Sequence, residues 1–88
     1  MHAVLVEVTI NDGEAATKNL RENIVPRVSQ APGFVAGYWV RAEGGKGRAT
    51  MVFESEDAAR AVADGMPQPE NDAATIDSVQ VGEVVESA

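Results

Sequence analysis

Phe34-Val-Ala-Gly-Tyr-Trp-Val-Arg-Ala42, Glu43-Gly-Gly-Lys-Gly47 and Arg48-Ala-Thr-Met-Val-Phe-Glu54 decide how this chain folds. The outer two segments are rich in aromatic and β-branched residues. In the second of them Ala49, Met51 and Phe53 alternate with Thr50 and Val52, the period of a strand with one apolar face. The glycine-rich segment between them lacks any such pattern and reads as a hairpin loop. Pro32-Gly33, just before the segment that opens at Phe34, is a turn signal.

On the N-terminal side of this hairpin the spacing predicts a helix over 14–30. Ala16, Leu20, Ile24 and Val28 recur every four residues with Val25 beside them, while Lys18, Asn19, Arg21, Glu22 and Asn23 fall outside that stripe. Asn11 or Asp12 can cap it, and Glu14 suits its first turn. Pro26 lacks the N–H that would bond the Glu22 carbonyl, so the last turns are expected to kink. Residues 3–10 alternate Val4, Val6, Val8 and Ile10 with Ala3, Leu5, Glu7 and Thr9, a first strand with one strongly apolar face.

On the C-terminal side Ser55 caps a second helix. Glu56 and Asp57 stand in its first turn, Ala59, Val62, Ala63 and Met66 form its stripe, and Gly65 and Pro67 close it. A polar connection over 67–74 leads to a last strand over 75–85, in which Gly82 is a candidate bulge or bend.

The order is β-α-β-β-α-β. Two right-handed βαβ units joined by a hairpin give a ferredoxin-like α+β plait: one domain over 1–88, an antiparallel four-stranded sheet, and both helices on one face. The other face is not fully polar. Depending on register it receives Leu5, either Val35 and Trp39 or Phe34 and Tyr38, and Val52 or Met51. An apolar surface of that size usually marks an interface. Stacking two such sheets predicts a homodimer through the open face, and burying several hundred Å² contributes on the order of 10 kcal/mol before association costs. A chain of 88 residues has one modest core, so such burial matters to it.

The net charge is −7, with no local cluster of Lys and Arg, which argues against nucleic acid and anionic membranes as partners. The absence of cysteine excludes disulfides, thiolate catalysis and Cys-based zinc or iron–sulfur sites. No window approaches the roughly 18 apolar residues of a membrane span. The N-terminal residues do not resemble a signal peptide, and a cytoplasmic location is the expectation.

Taken together, the element order, Ala31-Pro-Gly-Phe-Val-Ala-Gly-Tyr-Trp-Val40 and Met51-Val-Phe-Glu-Ser-Glu-Asp-Ala-Ala-Arg-Ala61 resemble the dimeric α/β-barrel superfamily, in particular its antibiotic-biosynthesis-monooxygenase-like branch. The resemblance covers nearly the whole chain. The Pro-Gly-Phe turn before the second strand is its more specific part; a strand, an acidic cap and an alanine-rich helix recur in many folds. It implies a dimer whose sheets form a barrel, with a small-molecule cavity between sheet and helices. Members of the group include cofactor-free monooxygenases of aromatic compounds, haem-degrading enzymes and proteins without an assigned role. The haem-degrading members ligate iron with a His from a helix and use an Asn and a Trp. This chain's single His is His2, outside both helices, and its Trp39 falls on a strand, so that set does not carry over and no cofactor is expected.

Four residues are candidates for a site. Trp39 offers a flat wall and an indole donor, and Arg41, two residues on, shares its face and offers a charge for a phenolate or carboxylate. Thr9 is a further substrate-binding candidate. Glu7, if turned inward, is a candidate general base. Each also reads as ordinary structure: Trp39 as packing, Arg41 as a solvated strand end, Glu7 as an ion-pair partner of Arg41 or Arg48. His2 reads as a frayed, solvated terminus, and Gly44-Gly45-Lys46-Gly47 as a hairpin tip, since it lacks the spacing of a phosphate loop. No metal site is expected. Three functions fit these residues: a cofactor-independent monooxygenase-like oxidoreductase acting on an aromatic small molecule, a non-catalytic small-molecule-binding or stress-related module, or a structural dimer. With one Trp, one Tyr and one His in the chain, acid–base groups near neutral pH are scarce.

Overall fold

A computed structural model describes residues 1–66 and 73–88. Its elements are strand β1 (His2–Ile10), helix α1 (13–29), strand β2 (Phe34–Ala42), strand β3 (Lys46–Phe53), helix α2 (Glu56–Asp64) and strand β4 (Ala74–Glu83). The expected connection over 67–74 falls, apart from Ala73 and Ala74, outside the described residues, as does Pro67. The four strands form one antiparallel sheet in the order β2-β3-β1-β4. The fold is the ferredoxin-like βαββαβ plait.

The turns follow from local chemistry. The Asp12 side chain accepts the Ala15 N–H at 3.1 Å and caps α1, and Ser55 accepts the Ala58 N–H at 3.1 Å and caps α2. Gly44 and Gly45 have φ of 75° and 73°, so the hairpin tip needs two residues without a Cβ penalty.

Both helices cover one face. Val4, Val6, Met51 and Phe53 from the central strands pack with Val28 of α1 and Ala59 of α2, joined by Ile24, Phe34, Trp39, Val62 and Ala63 at the margins. Phe34 and Phe53 meet edge to face, with centroids 5.8 Å apart and an interplanar angle of 79°. Such aromatic pairs add to plain burial.

Helix α1 is irregular next to Pro26, where a kink was expected, and the irregularity takes the form of a π segment before the proline. It has three segments, α-helical Gly13–Asn19, π-helical Leu20–Ile24 and α-helical Val25–Ser29, and the Val25 N–H bonds the Leu20 carbonyl. Pro26 has no N–H to continue the α pattern, and a wider turn just before it moves the preceding carbonyls off the ring. Only the second half of the stripe joins the core: Ile24 and Val28 do, and Ala16 and Leu20 do not.

Two bulges set which side chains face where. Phe34 pairs with Phe53 but Ala36 pairs with Val52, so Val35 is an extra residue and the parity of β2 changes there. Phe34 and Trp39 therefore both face the helices, a combination that strict alternation forbids, and Tyr38 and Val40 face the open side. The second bulge is at Asp77, between the pairs Glu7–Ser78 and Val8–Ile76, and not at Gly82. His2 also differs from expectation. It belongs to β1, its side chain is 24% exposed, and its Nε2 is 3.9 Å from Glu56 of α2. Strand pairing with Phe53 and Glu83 holds it in place.

Candidate functional site

The sheet separates the four candidate residues. The β1–β3–β2 register puts Val6, Ala49 and Trp39 in one row on the helix face, and Val8, Gly47 and Arg41 in the next. Glu7 and Thr9 alternate to the opposite, open face. Trp39 and Arg41 thus share a side, and neither Glu7 nor Thr9 joins them.

Trp39 and Arg41 also point apart. A Cβ placed on Gly37 would lie 2.8 Å from Cη2 and 2.9 Å from Cζ3 of Trp39, so the indole lies back along β2 over Gly37. It is half-buried and packs against the core. Arg41 reaches the other way, to the first half of α1. Its Nη2 donates to the Thr17 hydroxyl at 2.7 Å and to the Gly13 carbonyl at 3.2 Å. Where Ala16 and Leu20 leave the core, this guanidinium ties α1 to the sheet. Beside it lies an open groove of about 660 Å³ lined by Gly13, Glu14, Thr17, Lys18, Arg21, Glu22 and Arg41, a volume that admits a ring-sized molecule. Lys18 and Arg21, polar residues of the outer face of the predicted helix, were not candidates in the sequence. Their only signal was the spacing from the capped end of α1.

On the open face Glu7 Oε1 pairs with Arg48 Nη1 at 2.8 Å, and Ser78 donates to Glu7 Oε2 at 3.4 Å. The Glu7 side chain is 48% exposed, so it is not the buried base of the inward reading. Next to it Thr9 donates to Asp77 at 2.7 Å, and Lys46 donates to Thr9 at 2.9 Å while pairing with Asp77 at 3.5 Å. Val40 ends the Glu7–Arg48 row, and Leu5 and Tyr38 form the row beyond it; Leu5, Tyr38 and Val40 are 41%, 67% and 58% exposed. Among the described residues the charged side chains of this face, Glu7, Lys46, Arg48 and Asp77, sum to zero. The chain's net −7 lies elsewhere.

Among the described residues no cluster of three or more His, Asp or Glu can hold a metal ion, and no helix is long and apolar enough to cross a membrane.

The architecture defines a ferredoxin-like domain, the fold that the sequence resemblance implied. Two solved structures share it at a TM-score of 0.71. One is a point mutant of MhuD with two manganese protoporphyrin IX molecules bound per active site; it is 21% identical, and the match covers 100% of this chain and 98% of that one. The other is HapK from Hahella chejuensis, 13% identical over 100% of this chain and 96% of that one. At these identities the likeness is one of fold. No protein-family model and no curated protein sequence matches the chain.

Proposed function

We propose that this protein is a cytoplasmic homodimer, joined through the open sheet face, that holds a small aromatic molecule between the sheet and α1. The observation that carries this reading is the groove beside Arg41, where the first half of α1 leaves the core and a charged side chain bridges helix and sheet. A protein of the same fold that carries a flat macrocycle, protoporphyrin, supports the choice of an aromatic ligand. The dimer draws support from the open face itself. Leu5, Tyr38 and Val40 are exposed there, and the face is neutral on an acidic chain, so two copies meet there without like-charge repulsion. In this reading Glu7 and Thr9 belong to the interface, and Trp39 packs at the core margin outside the groove.

The oxidoreductase reading rests on the shared fold, and fold alone does not carry chemistry. A monooxygenase of this kind deprotonates its substrate before oxygen reacts. Glu7 would have to release Arg48 to serve as that base, and it faces away from Arg41. The binding module is therefore the preferred form.

Screening aromatic phenols, carboxylates and amides by the backbone amide shifts of the groove residues Gly13, Thr17 and Arg41, with oxygen uptake recorded in parallel, tests both forms. Saturable binding without oxygen uptake supports the module. Oxygen uptake that Glu7→Gln abolishes would replace it with the enzyme. No saturable response to any aromatic probe would end the reading.

A further inference from the structure

The seven cations of this chain divide into two sets. Lys46, Arg48 and Arg60 each pair with a carboxylate, Asp77, Glu7 and Glu56 respectively. Among the described residues Lys18, Arg21, Arg27 and Arg41 have no such partner. Three of these four, Lys18, Arg21 and Arg41, line the same groove. Carboxylates are not scarce: the chain has fourteen, and Glu14 and Glu22 line the groove too, each four residues from Lys18. That is the spacing at which helical ion pairs form. The groove nevertheless keeps its cations unpaired.

Arg41 is held in place without being neutralised. Both of its hydrogen bonds leave from Nη2 and end on uncharged acceptors, the Gly13 carbonyl and the Thr17 hydroxyl. Among the described residues Nη1 and Nε have no partner. A guanidinium fixed on one side by neutral acceptors, with free donors on the other, is preorganised to bind an anion.

We infer that this groove reads the negative charge of its ligand: it takes a small aromatic carboxylate, with the carboxylate on Arg41 and Lys18 and Arg21 adding to the attraction. The inference rests on the binding function proposed above and adds the ligand class and the residues that select it. On an acidic chain the groove is where unpaired positive charge gathers, so an anion is favoured there over the remaining surface.

Benzoate, its neutral isostere benzamide, and inorganic phosphate separate the outcomes. Binding is read by backbone amide shifts in the full chain and by calorimetry at low and high salt. The expected result is that benzoate shifts Gly13, Thr17 and Arg41, binds at least tenfold more tightly than benzamide, and weakens with salt. Arg41→Met is expected to remove that preference and Arg41→Lys to keep part of it. Lys18→Met and Arg21→Met are expected to weaken benzoate by a few fold each. Since Arg41 also ties down α1, the thermal midpoint of every variant is measured. The surface variants Lys18→Met and Arg21→Met keep the test valid if Arg41→Met unfolds the helix. Equal binding of benzoate and benzamide overturns the charge inference and leaves the aromatic binder standing. Shifts confined to Leu5, Tyr38 and other open-face amides overturn it, as does binding of phosphate alone. No response to any probe overturns the inference together with the function it rests on.

Discussion

The indole of Trp39 lies over Gly37, two residues back on β2, in the space a side chain there would fill. This contact aims the one tryptophan into the core margin and leaves Arg41 alone to face the groove. Gly37→Ala forces a Cβ into that ring, so either Trp39 or β2 must move. The expected cost is about 1–3 kcal/mol, as for other overpacked sites. A changed Trp39 emission together with a lower unfolding midpoint checks it. An unchanged spectrum would show that the ring does not rest there.

Phe53 is fully buried and meets Phe34 edge to face at the end of the sheet covered by α2. Phe53→Ala removes both the burial and the ring contact, and a loss of about 3–5 kcal/mol is expected. Urea titration measures it. A loss below 1 kcal/mol would mean that the core closes over the gap.

Ser55 accepts the Ala58 N–H at the start of α2. Ser55→Ala is expected to cost about 1 kcal/mol, and Ser55→Asp to restore most of it, because either side chain satisfies the orphan donor. Thermal unfolding of the two variants decides between a cap and an incidental contact.

The Glu7–Arg48 pair separates monomer from dimer. Both side chains are about half exposed or more in the single chain, where such a pair contributes roughly 0.2–1 kcal/mol. If the open faces stack, the pair is enclosed and breaking one side costs more. A double-mutant cycle of Glu7→Gln and Arg48→Met, run at several protein concentrations, should give a coupling that grows with concentration.

Val40 faces solvent in the single chain and is surrounded by the partner in the proposed dimer. Val40→Asp is expected to leave the unfolding midpoint of the monomer nearly unchanged while converting a sedimenting dimer to a monomer. A wild-type chain that sediments as a monomer at tens of micromolar would remove the dimer from the account.

The alternation of residues 3–10, the hairpin over 34–54 and the two capped helical stripes were sufficient to predict the element order and the one-sided helices. Hydrophobic period and turn chemistry are local, and a strand or a cap shows itself within a few residues. The site was less legible. Trp39 and Arg41 were correctly placed on one face by the strand period. The alternation of β1 already put Glu7 and Thr9 with Leu5 on the open face; that Trp39 and Arg41 stand opposite them depends on how β2 lies against β3, which no single strand reveals. The bulge at Val35, which turns both Phe34 and Trp39 inward, is likewise a property of two paired strands.

The sequence by itself determined the architecture, the turns and caps, and the presence of an apolar set too large for one covered face. Only the tertiary structure decided where the charges lie. The π turn before Pro26 lets α1 leave the core in its first half, which is why Arg41 bridges to Gly13 and Thr17 and why Lys18 and Arg21 gather beside it. Pairing register and helix path are set by contacts between residues far apart in the chain, and these bring together groups whose spacing in sequence carries no sign of it.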